Sequence, residues 1–150
     1  MPLLRHLLVV IVTTISIISS NFSQAEQALE TNNYQIHYNA FNTMVVSPQV
    51  AQSFGFVRAR NRALLNISVL DANTKKPLMA MVKGQRKNLM GQIYPLEFQQ
   101  IVEQGAIYYI AELRFSEAEL WQFDIQVQPD PHNPAIPLKF TQTFYLQQSD

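Results

Sequence analysis

The 150-residue chain carries 11 Lys or Arg against 11 Asp or Glu and has no cysteine, which excludes a uniformly basic nucleic-acid binder and a disulfide-stapled secreted scaffold. The zero net charge is split, with eight Lys or Arg against Asp71 between Arg58 and Lys87, and seven acids against Arg114 between Glu97 and Asp130. Oppositely charged halves of one small domain pair across neighbouring strands, each exposed pair contributing roughly 0–1 kcal/mol.

The first residues have the layout of a secretory signal. Arg5 and His6 precede the apolar run from Leu7 to Ile18, and polar Ser19, Ser20 and Asn21 lead to Ser23-Gln24-Ala25, with small residues where signal peptidase requires them. Cleavage is expected after Ala25, leaving residues 26–150 as a single domain. The apolar run falls short of the ~20 residues that cross a bilayer, and without cysteine there is no lipobox. A periplasmic protein of a Gram-negative bacterium with no lasting membrane anchor is therefore expected, held together by packing and backbone hydrogen bonds alone.

Residues 26–32 are polar and read as a loose leader. Period-two alternation begins at Tyr34, with Ile36, Tyr38 and Ala40 on one face and Gln35, His37 and Asn39 on the other, the pattern of a half-buried strand. Ser47-Pro-Gln-Val-Ala-Gln-Ser-Phe-Gly55 reads as a short helix with serine at the N-cap, proline at the first helical position and glycine past the end. Alternation resumes from Val57 to Val69, with Arg58, Arg60, Arg62 and Leu64 on the polar side.

A turn is expected at Asp71 to Pro77 and a strand from Leu78 to Val82. Lys83 to Asn88 follows as a basic, exposed extension. Gln92–Val102 and Ala106–Phe115 form a hairpin around Glu103-Gln-Gly105. Ser116-Glu-Ala-Glu119 has capping-box spacing for one helical turn. Trp121, Phe123, Ile125 and Val127 alternate cleanly, a Pro-rich loop covers Pro129 to Pro137, and Leu138 to Leu146 supplies the last strand. About seven strands with no long helix between them predict an all-β fold, an antiparallel immunoglobulin-like β-sandwich with one or two short helical turns.

The stretches Tyr38-Asn-Ala-Phe-Asn42, Arg60-Asn-Arg-Ala-Leu-Leu-Asn-Ile-Ser-Val69, Gly91-Gln-Ile-Tyr-Pro-Leu-Glu-Phe98, Ala106-Ile-Tyr-Tyr-Ile-Ala111 and Phe140-Thr-Gln-Thr-Phe-Tyr145 resemble domain-of-unknown-function family 4426, uncharacterised exported proteins of proteobacteria. The resemblance spans essentially all of the processed chain. It implies a small periplasmic β-rich domain and transfers no catalytic residue.

Hydrolytic chemistry needs a nucleophile with an oriented base. The processed chain offers only His37 and His132 as the usual base, with no Gly-x-Ser-x-Gly elbow, so both histidines read as surface residues. Glu97, Glu103, Glu112, Glu117 and Glu119 read as solvated or ion-paired, with Glu97 or Glu112 opposite the arginine row. Met79, Met81 and Met90 with His37 are the soft donors that a copper ion would need, but methionines at strand spacing read first as core filler. No spacing suits zinc, and no Gly-rich loop suits a nucleotide.

The basic residues remain. Arg58, Arg60 and Arg62, with Asn61 between them and Asn39 and Asn42 nearby, join Lys83, Arg86 and Lys87 in one partner or anion site if the two segments are neighbours. The expected function is a non-catalytic binding or protein-interaction module with an envelope protein as partner and no cofactor. The alternative is a carrier of a small anionic ligand or copper ion. No nucleic-acid partner is expected, and the composition carries no signal for a homo-oligomer.

Overall fold

The computed structural model describes residues 27–148, so the expected signal segment and its cleavage point lie outside the described residues. Among the described residues nine strands form two antiparallel sheets. Their bounds are β1 Gln27–Glu30, β2 Tyr34–Asn42, β3 Arg62–Asp71, β4 Met81–Asn88, β5 Ile93–Leu96, β6 Phe98–Glu103, β7 Ala106–Arg114, β8 Glu119–Gln128 and β9 Ile136–Phe144. One sheet has the order β1-β2-β3-β7-β6 and the other β5-β4-β8-β9. A 3-10 turn, Thr43–Val45, and the helix α1, Pro48–Phe54, interrupt the path from β2 to β3.

Period two decides which side chains meet between the sheets. Ile36, Leu65, Ile67, Val69 and Leu113 from the first sheet and Ile125 and Val127 from the second are all under 2% exposed, and they join Trp121, Phe123, Leu138 and Phe144 in one core. The two-sheet sandwich read from the sequence is the fold. The helix forms as its capping residues dictate: the Ser47 side chain accepts from the Val50 N–H, Pro48 opens the helix, and Gly55 ends it in the left-handed region at φ 75°.

Several elements differ from expectation, each for a physical reason. Residues 27–30 are not loose, because their backbone pairs with the exposed edge of β2 from Gln27↔Tyr38 to Glu30↔Gln35. The run expected as one strand before the 103–106 turn breaks at Glu97. Gly84↔Leu96 places its first half in the second sheet, while Phe98↔Ala111 places the rest in the first. The hairpin turn itself is as expected, with Gln104 and Gly105 both at positive φ, the type I′ geometry that matches strand twist.

Leu78 is no strand residue: it gives its N–H to the Val69 carbonyl at 2.8 Å just before the chain crosses to the second sheet at Met81. Ser116 to Glu119 forms no helical turn either. The Glu119 carboxylate reaches back to the Ser116 N–H and hydroxyl, at 3.0 and 3.2 Å, and β8 starts at once. Leu64, read as part of the polar face, is 2% exposed because its outward face shares an apolar groove with Phe54 and Phe56. At the Asp71 turn the carboxylate accepts from the Asn73 and Thr74 N–H groups. The Thr74 bond leads in holding its pKa below the ordinary carboxylate value.

Candidate functional site

The arginine row is taken up by its own chain. Arg58 and Arg60 lie in the connection ahead of β3, which begins only at Arg62. Arg58 Nη2 donates to the Met44 carbonyl at 3.1 Å, and Arg60 Nε donates to the Gln147 carbonyl. Arg62 pairs with Glu112, whose other oxygen accepts from the Val57 N–H at 3.0 Å. Of the two carboxylates expected opposite the row, Glu112 is there, and Glu97 sits exposed at the corner between β5 and β6. The Asn61 backbone carbonyl accepts from the Phe115 N–H at 3.0 Å. These residues tie the β2–β3 connection to β7 and to the end of the chain.

The two basic segments do not form one patch. Arg62 belongs to the first sheet, whereas Lys83, Arg86 and Lys87 lie on β4 in the second. Lys83 and Lys87 point outward. Lys87 lines an open trough of about 520 Å³ with Gln85, Gln122, Asp124, Lys139 and Thr141, where Lys139 and Asp124 pair at 3.4 Å.

Arg86 alone turns inward, and the expectation of an exposed extension fails at this residue. Strand alternation from Val82 through Gly84 places Arg86 and Asn88 on the core side, opposite Phe123 and Trp121, and both are over nine-tenths buried. The guanidinium carbon lies 3.9 Å from the Trp121 ring centroid and 5.4 Å from that of Tyr94. The two rings meet edge to face at 5.5 Å, the arrangement in which ring quadrupoles attract both one another and a cation.

The walls of this box are fixed by hydrogen bonds. Asn88 Nδ2 donates to Gln92 Oε1 at 2.8 Å, and Gln92 N–H returns to Asn88 Oδ1 at 2.9 Å. Gly91, at φ 81°, closes the turn between them. Burial pulls the Arg86 pKa down, while the Glu119 carboxylate and Tyr94 oppose that shift; arginine still remains a cation at neutral pH. Arg86 Nη1 and Trp121 Nε1 are both buried donors with no hydrogen-bond partner among the described residues. Sequence reasoning included Arg86 but missed Trp121, Tyr94 and Asn88. The signal that finds them is the pairing of β4's alternation with that of β8.

The other candidates are dispersed. His37 lies on the outer face of the first sheet opposite Ser68, with Asn39 beside it opposite Asn66. Asn42, by contrast, lies beside the arginine row as expected: it caps the 3-10 turn and donates Nδ2 to the Arg60 carbonyl at 2.8 Å. His132 is exposed in the β8–β9 loop, bonded to Asp130 at 2.9 Å. Met79, Met81 and Met90 are 64%, 59% and 79% exposed, so they are not core filler: Met79 lies in the connection before β4, Met81 on the outward face at its start and Met90 in the turn after it. Among the described residues no three His, Asp or Glu gather as a metal cage, and no helix is long and apolar enough to cross a membrane.

These features define a small antiparallel β-sandwich with an arginine–aromatic box at one end of its core. The chain belongs to the DUF4426 family, a domain of unknown function, whose family model matches residues 28–147. A crystal structure of a DUF4426 family protein from Pseudomonas aeruginosa PAO1 is 32% identical and has a TM-score of 0.74, covering 85% of this chain and 100% of that one. A copper-bound variant of FetP from uropathogenic Escherichia coli strain F11 shares the fold at 12% identity and a TM-score of 0.53, over 81% of this chain and 95% of that one. The as-isolated FetP of the same strain, recombinantly expressed in the periplasm of E. coli BL21(DE3), gives the same two values over 83% and 96%. No curated protein matches the chain.

Proposed function

We propose that the protein is a non-catalytic binding module of the periplasm that docks an envelope protein through one end of its sandwich. The observation behind this reading is the distribution of exposed apolar side chains. At the upper end, where β2, β7 and β9 finish and β4 turns into β5, Met44, Val45, Leu89, Met90, Tyr145 and Leu146 are all at least 39% exposed. Leu89 and Met90 are the most exposed of them, at 74% and 79%. Concentrated exposed apolar surface is costly in water, and in stable soluble proteins it marks an interaction site. Partner contact through loops at one end of a rigid sandwich is also how this architecture commonly presents variable surface.

The test is crosslinking in envelope extracts with the native protein, a Leu89→Ser/Met90→Ser variant, and Val102→Ser at the opposite end. A partner retained by the native chain and by Val102→Ser, and reduced about tenfold by the double variant, is the expected result; two apolar anchors account for that factor. Equal recovery from all three, or none from any, would overturn the reading.

A second reading, copper carriage, is favoured by the exposure of Met79 and Met81, two thioethers two residues apart, on a fold that FetP shares. Thioethers prefer copper(I) among the biological metals. Titration calorimetry with copper(I) should give heat that Met79→Leu/Met81→Leu abolishes; absence of heat from the native protein removes this reading.

A further inference from the structure

We infer that the Arg86 box is a binding site for an apolar monocarboxylate, with Arg86 Nη1 and Trp121 Nε1 as the donors to its oxygens. The inference concerns a small ligand within the sandwich and does not depend on the docking surface proposed above.

A buried guanidinium is costly unless its N–H groups are satisfied. The stacked Trp121 ring stabilises the charge but accepts nothing at Nη1, and the nearest acid influence, Glu119, is committed to Ser116. One ring away, the Trp121 N–H is equally buried and equally without an acceptor. Two unmatched donors on stacked groups call for a ligand that accepts at more than one atom. A carboxylate does so, and guanidinium is its matching fork.

Charge selects among anions. Glu119 already offsets part of the Arg86 charge, so each negative charge a ligand adds is costly in a poorly solvated place, and a single charge is favoured over two. Polarity selects the rest of the ligand. Arg86 is 8% exposed and Tyr94 40%, so the Tyr94 ring is the part of the box that meets solvent, on the strand that follows the apolar turn of Leu89 and Met90. A carboxylate seated on Arg86 would lay its substituent there.

The chain contains a single tryptophan and it forms a wall of the box, so its emission reports occupancy directly. Titration of the purified protein with hexanoate should quench or shift that emission saturably, with acetate about tenfold weaker because it lacks methylenes to bury. Hexylammonium should have no effect. N-acetyl-leucine serves as the peptide-terminus arm: tighter binding than hexanoate identifies a C-terminal carboxylate as the natural source, and weaker binding a free acid. Arg86→Met, checked for folding by far-ultraviolet circular dichroism, should weaken hexanoate at least tenfold. Arg86→Lys keeps the charge without the fork and should fall between the two. Absence of a saturable response to either carboxylate, or equal affinity in native and Arg86→Lys proteins, would overturn the inference.

Discussion

Phe123→Ala should lower the unfolding free energy by about 3–5 kcal/mol, read from the midpoint shift in urea denaturation at unchanged slope. Phe123 is 2% exposed and stands at the centre of an aromatic column. It stacks on Phe140 at 4.6 Å and 13° and meets Phe144 edge to face at 6.2 Å. Phe140 in turn touches Tyr38 at 4.7 Å, and Tyr38 belongs to the opposite sheet. Truncation therefore removes the transferred apolar area and the ring that backs Phe140 in its contact with Tyr38, leaving a cavity with rigid walls. Domains of this size have only about 5–15 kcal/mol in total, so the variant should be marginal. A loss below about 1 kcal/mol would mean that the column does not hold the sheets together.

Gly84→Ala should be nearly as damaging although it adds one carbon. An added Cβ would lie 2.6 Å from the Asp124 carbonyl oxygen and 2.8 Å from Ile125 Cα. Both are backbone atoms of the neighbouring strand, so no side chain can swing aside. β4 would have to part from β8 at the middle of their ladder, for a cost of about 3 kcal/mol at the upper end of ordinary overpacking. Chemical denaturation gives the magnitude, and amide exchange along β4 gives the place. Native stability with unchanged protection at residues 83–87 would refute the packing argument.

The sequence made legible those elements whose signal is local. Ser47, Pro48 and Gly55 each bear one capping requirement, and the helix ends where they say. Gln104-Gly105 is a turn because only a few residues tolerate positive φ there, and Trp121 to Val127 alternates because β8 has one face in the core. What stayed hidden depends on partners distant in sequence. Gln27 to Glu30 is polar, and only the open edge of β2 makes it a strand. Nothing local marks the break at Glu97, since both halves have strand character and no glycine separates them.

The candidate site was hidden for a similar reason. Lys83 to Asn88 is so polar that hydropathy cannot distinguish its faces, and the regular arginine row at residues 58–62, elsewhere in the chain, is the stronger local signal. Arg58 and Arg60 looked available because strand spacing says nothing about carbonyl acceptors in a loop, whereas Glu112, which pairs with Arg62, was one of the two carboxylates expected opposite the row. Arg86 looked exposed because lone arginines usually are. Its inward face follows from period two only once β4 is known to pair with β8.

The corner at Glu97 has a mechanical consequence. A single residue separates Leu96 in one sheet from Phe98 in the other, so along that margin the layers are stitched by the covalent chain itself. Along the opposite margin, β1 and β9 end their sheets without a shared segment. There the layers are joined by the Tyr38–Phe140 ring contact and by Gln142 Nε2 donating to the Ala40 carbonyl at 2.9 Å. The sandwich is bound like a book, with its spine at β5 and β6 and its fore-edge at β1 and β9, and any parting of the leaves begins at the fore-edge.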